Sequence, residues 1–379
     1  MGRTRLDELA RLGQSIWIDY LSREMLDSGT LERLIQEGIV GVTSNPTIFE
    51  QAISAGKGYD EGLRAARERT SDAKEIFLEL AVRDVTDACD VLRGVYDDGV
   101  RRARAARGRE NAAGRHVDGF VSIEVDPLFA YDTEATKAEA LRLHAAIDRP
   151  NLLVKIPATK PGLPAIEDMI AAGKSINVTL IFSLERYVEV AEAYIRGLER
   201  LVAAGGDPST VASVASFFVS RVDTEIDRRL DEIGGHDDLK GKLAVANAKL
   251  AYQRYKQIFA GERWESLAAK GAASQRCLWA STSTKNPAYS DVLYVEELIG
   301  PETVNTLPEK TIRAFQDHGR VRPSLEEGVD EAQALFERLA SAGVDYVDVT
   351  EKLEREGVKA FADSFSKLME GIKARAAAA

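Results

Sequence analysis

The chain is poor in several residue types, and each shortage excludes a class of protein. Cysteine occurs only twice in 379 residues, at Cys89 and Cys277, so no disulfide framework is expected and a reducing compartment fits. No apolar run approaches the length of a transmembrane helix, and the first residues lack the apolar core of a signal peptide. These absences predict a cytoplasmic protein without a membrane partner.

Positive charge is in deficit as well. Lysine and arginine number 50 against 61 aspartates and glutamates, and the net charge of −11 argues against a nucleic-acid partner. Five arginines do cluster between residues 101 and 109. Without interleaved aromatic residues, such a run is more typical of a solvated helix or loop than of a nucleic-acid surface.

Residues that would hold a metal or a dinucleotide are also missing from the pattern. The four histidines fall on predicted helices or loops, and none pairs with a carboxylate at metal-ligand spacing. No glycine-rich turn follows the first predicted strand. We therefore expect neither a metal nor a cofactor. The histidines are His116, His144, His236 and His318.

What the sequence does contain is a regular alternation of strand and helix patterns. Its 45% apolar and 29% charged residues are an ordinary globular balance, and α/β barrels reach this length as one unit. Eight strands in alternation predict a single (β/α)8 TIM barrel over residues 1–379. We expect a helical insertion at about 51–117, after strand two, and a helical C-terminal extension at about 324–375, interrupted at Gly343. The predicted strands lie at 15–20, 41–49, 120–127, 151–159, 174–182, 210–223 (with its exit), 276–281 and 303–308.

One lysine stands out in the fourth predicted strand. Apolar residues on both parities surround Lys155, which indicates a buried parallel strand carrying one ammonium group. Burying an unpaired ammonium is costly, and a lysine so placed is suited to form a Schiff base with a carbonyl substrate. The alternative is a lysine at the end of the strand with its head in water. This strand alone leaves both interpretations open.

Polar residues near the ends of other strands favour chemistry. In a barrel, the carboxyl ends of all strands share one face, so residues distant in sequence converge there. An amine, two acids and several hydroxyl and amide groups suit a metal-free imine mechanism, in which the iminium accepts the electrons of a breaking carbon–carbon bond. The converging residues are Asp19, Thr43, Asn45, Glu124, Lys155, Asn177, Thr179 and Ser216.

Six stretches, taken in order, resemble the motifs of the transaldolases, and in particular those of the long bacterial type. The resemblance spans about residues 14 to 315 and implies a class I, Schiff-base barrel enzyme. The stretches are Ile-Asp19-Tyr, Gly-Val-Thr-Ser-Asn45-Pro-Thr-Ile, Ser-Ile-Glu124-Val-Asp-Pro, Val-Lys155-Ile-Pro-Ala-Thr, Ile-Asn177-Val-Thr179-Leu-Ile-Phe-Ser and Ser216-Phe-Phe-Val-Ser-Arg221.

The resemblance also implies roles for single residues. Lys155 would form the Schiff base with a ketose phosphate, and Asp19 would take the proton of the C4 hydroxyl as the C3–C4 bond breaks. Glu124 and Thr179 would hold and activate the water exchanged with the imine. Asn45 and Asn177 would bind the hydroxyls of the dihydroxyacetone unit, and Ser216 and Arg221 would bind the phosphate. Thr43 would also belong to the substrate-binding residues. Where many transaldolases have a second phosphate arginine, this chain has Lys285.

The implied reaction moves a dihydroxyacetone unit from sedoheptulose 7-phosphate to glyceraldehyde 3-phosphate, within the non-oxidative pentose phosphate pathway. The products would be erythrose 4-phosphate and fructose 6-phosphate. The protein would work on sugar phosphates as a monomer or a homodimer. An aldolase that releases dihydroxyacetone is the nearest rival. A catalytically idle barrel, in which Asp19 is a helix cap, Ser216 a core hydroxyl and Arg221 a surface charge, is a rival from another class.

Overall fold

A seven-stranded parallel β-sheet lies at the centre of the computed structural model, which describes residues 4–56, 58–106 and 116–378. Neighbouring strands follow the order β1-β7-β6-β5-β4-β3-β2, and every pair is parallel. Nearly all strand residues are buried, as expected for a parallel sheet covered by helices. The strands are β1 (Gln14–Ile18), β2 (Val121–Glu124), β3 (Leu152–Pro157), β4 (Ile176–Ile181), β5 (Ser213–Phe218), β6 (Arg276–Ala280) and β7 (Thr303–Leu307).

Seven of the eight predicted strands are therefore confirmed, whereas at 41–49, predicted as the second strand and its turn, the structure has a single bridging residue in place of a strand. At this place only Val42 bridges to the sheet, but it bridges to Ile18 on one edge strand and to Val121 on the other. Backbone hydrogen bonds of residues 40–43 reach both edges, for example from the Val42 amide to the Phe120 carbonyl at 2.9 Å. The segment cannot extend as a strand because Asn45 caps a helix whose first residue is Pro46.

The sheet is surrounded by helices, several of them with side-chain caps such as Asp72, which accepts from the Lys74 amide at 2.8 Å. Short 3₁₀ turns lie at Pro127–Phe129, Pro208–Thr210 and Asp237–Leu239. The helices are α1 (Arg5–Arg11), α2 (Arg23–Asp27), α3 (Thr30–Gln36), α4 (Pro46–Ala55), α5 (Asp60–Arg67), α6 (Ala73–Val91), α7 (Arg93–Ala106), α8 (Thr133–Ile147), α9 (Gly162–Ala171), α10 (Leu184–Ala203), α11 (Ser220–Ile233), α12 (Leu243–Ile258), α13 (Gly261–Ala269), α14 (Leu293–Glu297), α15 (Glu309–His318), α16 (Val329–Ser341) and α17 (Tyr346–Ala378).

Helices α5, α6 and α7 lie within the segment 51–117. A buried ion pair joins them to the barrel side, because Arg23 on α2 donates to Asp84 on α6 at 2.9 Å. Tyr59, which precedes α5, donates to the same carboxylate at 2.7 Å. Removing one partner of such a pair typically costs about 3–5 kcal/mol of stability, since it leaves a buried charge uncompensated. Of the arginine cluster, Arg101, Arg102 and Arg104 are exposed on α7, and residues 107–115 lie outside the described residues.

The C-terminal segment forms α16 and α17, separated at Gly343 as the sequence predicts; Gly343 has a positive φ of 85°. Helix α17 packs on α4 and α6, where Phe365 contacts Phe77 edge to face. It also passes close to β4: a Cβ placed on Gly357 would lie 3.0 Å from the Leu180 side chain. No helix among the described residues is both long and apolar enough to cross a bilayer.

At the amino ends of the strands, a partly buried ion pair links β6 to the segment before β2. Arg276 on β6 donates to Asp118 at 2.9 Å, and Ser15 and Trp17 of β1 donate to the same carboxylate. Burial raises the pKa of Asp118, but the charge of Arg276 and these hydrogen bonds outweigh it, so the pKa lies below its ordinary value. Asp118 therefore remains ionised at neutral pH and joins three segments of the sheet.

Candidate active site

Lys155 lies in the middle of β3, with only 6% of its side chain exposed. Its ammonium donates to the Ser44 carbonyl at 3.1 Å and lies 3.3 Å from Glu124 Oε2. The interpretation in which the lysine head reaches water is therefore wrong. The partners come from neighbouring segments: Glu124 stands beside Lys155 in the β2–β3 register.

Glu124 is the first of two carboxylic acids beside the lysine, and its side chain is 1% exposed. Burial raises its pKa, while the charge of Lys155 opposes that shift. Apart from the ion pair, neither oxygen has a hydrogen-bond partner among the described residues, and neither does the buried Thr179 hydroxyl. Buried polar atoms without partners are rare and call for a water or ligand. Glu124 and Thr179 thus offer unused hydrogen-bonding capacity next to the amine.

Asp19, the second acid, directly follows β1. It accepts a hydrogen bond of 2.6 Å from the Thr43 hydroxyl, which in turn lies 2.6 Å from the Thr306 hydroxyl. Burial raises the pKa of Asp19, opposed by the charge of Lys155, the Thr43 hydrogen bond and the charge of Lys285. The interpretation of Asp19 as a helix cap is wrong, because Ser22 caps the helix that follows.

Asn177 lies on β4 and Ser216 on β5, and both side chains are buried. Asn177 is beside Lys155 in the β3–β4 register. Its amide accepts from the Ser216 hydroxyl at 2.7 Å and donates to the Ser122 hydroxyl at 3.1 Å. The two predicted ligands are therefore brought together but bonded to one another, so the interpretation of Ser216 as a core hydroxyl remains open.

Asn45 approaches the site from the loop before α4. Its side-chain oxygen accepts from the Ile48 amide at 3.0 Å and so caps the helix. Asn45 and Glu124 line the same narrow cavity. The capping bond uses only the oxygen, which leaves the amide nitrogen as a donor. Asn45 is thus both a helix cap and a candidate ligand.

Two cationic side chains, those of Arg221 and Lys285, lie at the carboxyl ends of the strands, as Asp19 does. Arg221 begins α11, partly buried with its guanidinium 5.3 Å from the centre of the Phe218 ring. Burial lowers its pKa, opposed by the charges of Glu124 and Glu356. Lys285 follows β6, and its ammonium donates to Ser283 at 2.7 Å. Burial and the charge of Arg221 lower the pKa of Lys285, opposed by the charge of Asp19, so Lys285 lies near both of these groups.

Tyrosine–aspartate pairs tie the Lys285 segment to α11. Tyr289 donates to Asp227 at 2.7 Å, and Tyr294 donates to Asp223 at 2.8 Å. The Tyr289 ring lies against Gly241, where a Cβ would be 2.7 Å from the ring, so only glycine leaves room for this contact. These pairs therefore join the chain after Lys285 to the helix that carries Arg221.

Sequence reasoning missed three contributors to the site. The Ser44 carbonyl and the Ser122 and Thr306 hydroxyls contact Lys155, Asn177 and Thr43 respectively. Ser122 shares the polar row of Glu124, and Thr306 lies on the eighth predicted strand, so alternation along those strands was a usable signal for both. A backbone carbonyl such as that of Ser44 leaves no trace in the sequence.

A cavity of about 840 Å³ lies away from this site. It opens at the amino ends of the strands and is lined by Phe120, Leu152, Ser175, Ser213 and Arg276 among others. None of the candidate residues faces it. The described residues also hold no group of three or more His, Cys, Asp or Glu that could bind a metal ion. The chemistry around Lys155, and not cavity size, identifies the candidate site.

Comparison with known proteins shows which family the chain belongs to. A family described as transaldolase/fructose-6-phosphate aldolase matches residues 16–372. A transaldolase of Saccharopolyspora erythraea is 50% identical over 372 residues, covering 98% of this chain and 97% of the relative. One from Acidothermus cellulolyticus is 52% identical over 370 residues (97% and 95%), and transaldolase 2 of Nostoc punctiforme is 46% identical over 387 (98% of each). With its lysine, acids and cations in place, this chain belongs to the transaldolase/fructose-6-phosphate aldolase family.

Proposed function

We propose that the protein is a transaldolase, which moves a dihydroxyacetone unit from sedoheptulose 7-phosphate to glyceraldehyde 3-phosphate through a Schiff base on Lys155. The products are erythrose 4-phosphate and fructose 6-phosphate. The observation that carries the proposal is the buried Lys155 amine, 3.3 Å from a carboxylate whose oxygens are otherwise unpartnered. The near full-length identity of about 50% to curated transaldolases supports it.

The fold proposed for this function is one complete (β/α)8 barrel. Residues 40–43 take the second strand position, supported by the bridges of Val42 to both edge strands. The chain then forms a single domain, with residues 51–117 as a helical insertion and α16 and α17 as the extension. In such a barrel the carboxyl ends of the strands carry the active site, where Lys155, Glu124 and Asp19 lie.

Imine formation requires proton transfer to and from one group near the amine. Glu124 accepts a proton from the ammonium, and the neutral amine adds to the C2 carbonyl of the ketose. Glu124 then returns the proton to the hydroxyl of the carbinolamine, which leaves as water held by Thr179. A raised pKa suits a carboxyl group that must be protonated in one step and ionised in another.

Bond cleavage requires a base on the C4 hydroxyl. Asp19 takes that proton, the C3–C4 electrons move into the iminium to form an enamine, and the aldose phosphate leaves. The acceptor aldehyde then enters, the enamine attacks it, and Asp19 returns the proton to the new hydroxyl. Hydrolysis of the imine through Glu124 and Thr179 releases the ketose product. Asn45 and Asn177 bind the hydroxyls of the dihydroxyacetone unit, while Arg221, Lys285 and Ser216 bind the phosphate.

The reaction is tested by incubating the purified protein with fructose 6-phosphate and erythrose 4-phosphate. Sedoheptulose 7-phosphate and glyceraldehyde 3-phosphate should appear in equal amounts, without free dihydroxyacetone. An aldolase would instead release dihydroxyacetone from fructose 6-phosphate without an acceptor. An idle barrel would yield no product from either incubation.

The two phosphate cations should differ in importance. Arg221→Ala should weaken use of fructose 6-phosphate more than Lys285→Ala, because a guanidinium forks two hydrogen bonds to phosphate whereas an ammonium acts as a point charge. Each charged hydrogen bond removed should cost about 1.5–3 kcal/mol in kcat/KM. Steady-state rates with fructose 6-phosphate and with unphosphorylated fructose measure the difference.

Unphosphorylated fructose is the matched control, since the penalty should largely vanish with that substrate. Lys285→Arg should retain or improve use of the phosphorylated sugar. Equal losses on both sugars would show that Arg221 supports the fold and that the phosphate binds elsewhere.

A further inference from the structure

We propose that Thr306 is a positioning residue, which orients the Thr43 hydroxyl so that it donates to Asp19. This inference rests on the proposed role of Asp19 as the base. It also changes the expectation for Thr43, whose hydroxyl proton is used within the protein rather than on the substrate.

Backbone hydrogen bonds hold the three residues in adjacent places. The Asp19 amide donates to the Leu307 carbonyl at 2.8 Å, next to Thr306 on β7. The Thr43 amide donates to the Ile18 carbonyl at 2.9 Å, next to Asp19. Thr43 and Thr306 are 2% and 3% exposed, so water does not compete for their hydroxyls.

Counting protons gives the hydrogen bonds a direction. The Thr43 oxygen lies 2.6 Å from both Asp19 Oδ1 and Thr306 Oγ1. A hydroxyl has one proton to donate, and an ionised carboxylate can only accept. Thr43 therefore donates to Asp19, and Thr306 must donate to Thr43. The distance to the carboxylate is that of a charge-assisted O–H···O⁻ bond.

The chain of hydroxyls favours the ionised form of Asp19, which is the form that can act as a base. Hydrogen bonds in a series polarise one another, so the Thr306 proton strengthens the bond that Thr43 makes to Asp19. Burial works in the opposite direction and raises the pKa of Asp19. The other charged groups around Asp19 are Lys155 on β3, Lys285 after β6 and Glu124 on β2. None of these three is changed in the test.

The test compares Thr306→Val with Thr306→Ser. Valine keeps the shape without the proton donor, whereas serine keeps the donor. In a single-turnover assay of fructose 6-phosphate cleavage, Thr306→Val should be roughly 3- to 10-fold slower, the range expected for one neutral hydrogen bond. On the acidic side of the pH–rate profile, the fall in cleavage rate should occur at higher pH, because losing a hydrogen bond to the ionised form raises the pKa of Asp19. Thr306→Ser should keep the cleavage rate and the pH profile of the wild type. In steady-state measurements, KM should change little in either variant.

Two further variants, Thr306→Ala and Asp19→Asn, show whether a failure concerns Thr306 or the assignment of the base. If Thr306→Val does not fold, Thr306→Ala replaces it, with the serine variant as the same reference. Equal slowing by valine and serine, or an unchanged pH profile in the valine variant, would overturn the inference. Asp19→Asn is measured alongside: if it cleaves at the normal rate, the base assignment itself fails. If Asp19→Asn is inactive and Thr306→Val behaves as wild type, only the role of Thr306 fails.

Discussion

Replacing Lys155 should reduce transaldolase activity by on the order of 10⁴- to 10⁶-fold, the scale seen when a covalent nucleophile is removed. Lys155→Arg is the most informative change. A guanidinium keeps the positive charge beside Glu124 but does not lose its proton in proteins, so it cannot add to a carbonyl. Lys155→Met removes the charge as well and leaves the Glu124 carboxyl without its ion pair. Product analysis with fructose 6-phosphate and erythrose 4-phosphate measures the loss.

Borohydride reduction in the presence of fructose 6-phosphate locates the imine directly. The wild-type protein should carry a stable adduct on the peptide that contains Lys155, read by mass spectrometry. Lys285→Arg is a matched control, since it removes the other lysine near Asp19 and should leave the adduct in place. An adduct found only on another lysine would disprove the assignment of Lys155, even if the protein proved to be an aldolase.

The second large effect separates the two acids. Asp19→Asn should let the imine form but slow cleavage by about 10²–10⁴-fold, because an amide can still accept from Thr43 yet cannot take the C4 proton. The borohydride adduct with fructose 6-phosphate should therefore accumulate. Glu124→Gln should slow imine formation and imine hydrolysis together by a similar factor. Time courses of adduct formation and of aldose release distinguish the two partial reactions.

Unfolding experiments separate loss of chemistry from loss of structure. The pKa of Asp19 is raised in the folded protein, so its ionisation lowers stability as pH rises from the ordinary range of an aspartate through the folded value. Asp19→Asn removes that cost and should be at least as stable as wild type at neutral pH. In the kinetic experiments, the division of roles between Asp19 and Glu124 would be contradicted if Asp19→Asn and Glu124→Gln slowed the same partial reactions. A rate change of only a few-fold in either variant would also contradict it.

Local pattern in the sequence predicted most of the sheet, because most of the seven strands alternate apolar with polar residues over four to six positions. It failed at residues 41–49, where the contribution of Val42 is a single bridging residue and Asn45 starts a helix three residues later. A single residue that bridges both edge strands produces no periodic pattern in the sequence. Position along the strands, in contrast, was sufficient to place Lys155, Glu124 and Asp19 at one site.

Which side chains contact each other was less predictable than where each residue lies along its strand. The position of Lys155 was predicted, but its ion pair with Glu124 depends on the register between β2 and β3. The partner of Thr43 is 263 residues away in sequence, on β7. Asn177 and Ser216 were assigned to the substrate, whereas the structure bonds them to each other. Such contacts are set when distant strands align, and no local pattern encodes that alignment.

The tyrosine–aspartate ties between α11 and the Lys285 segment have a consequence for the energetics of substrate binding. They hold Lys285 where the positive charge of Arg221 lowers its pKa, so the folded protein carries an electrostatic repulsion between its own cations. A phosphate dianion placed between them would replace that repulsion with attraction. If the phosphate of a substrate binds at the proposed site, that part of its affinity is set during folding, before any substrate arrives.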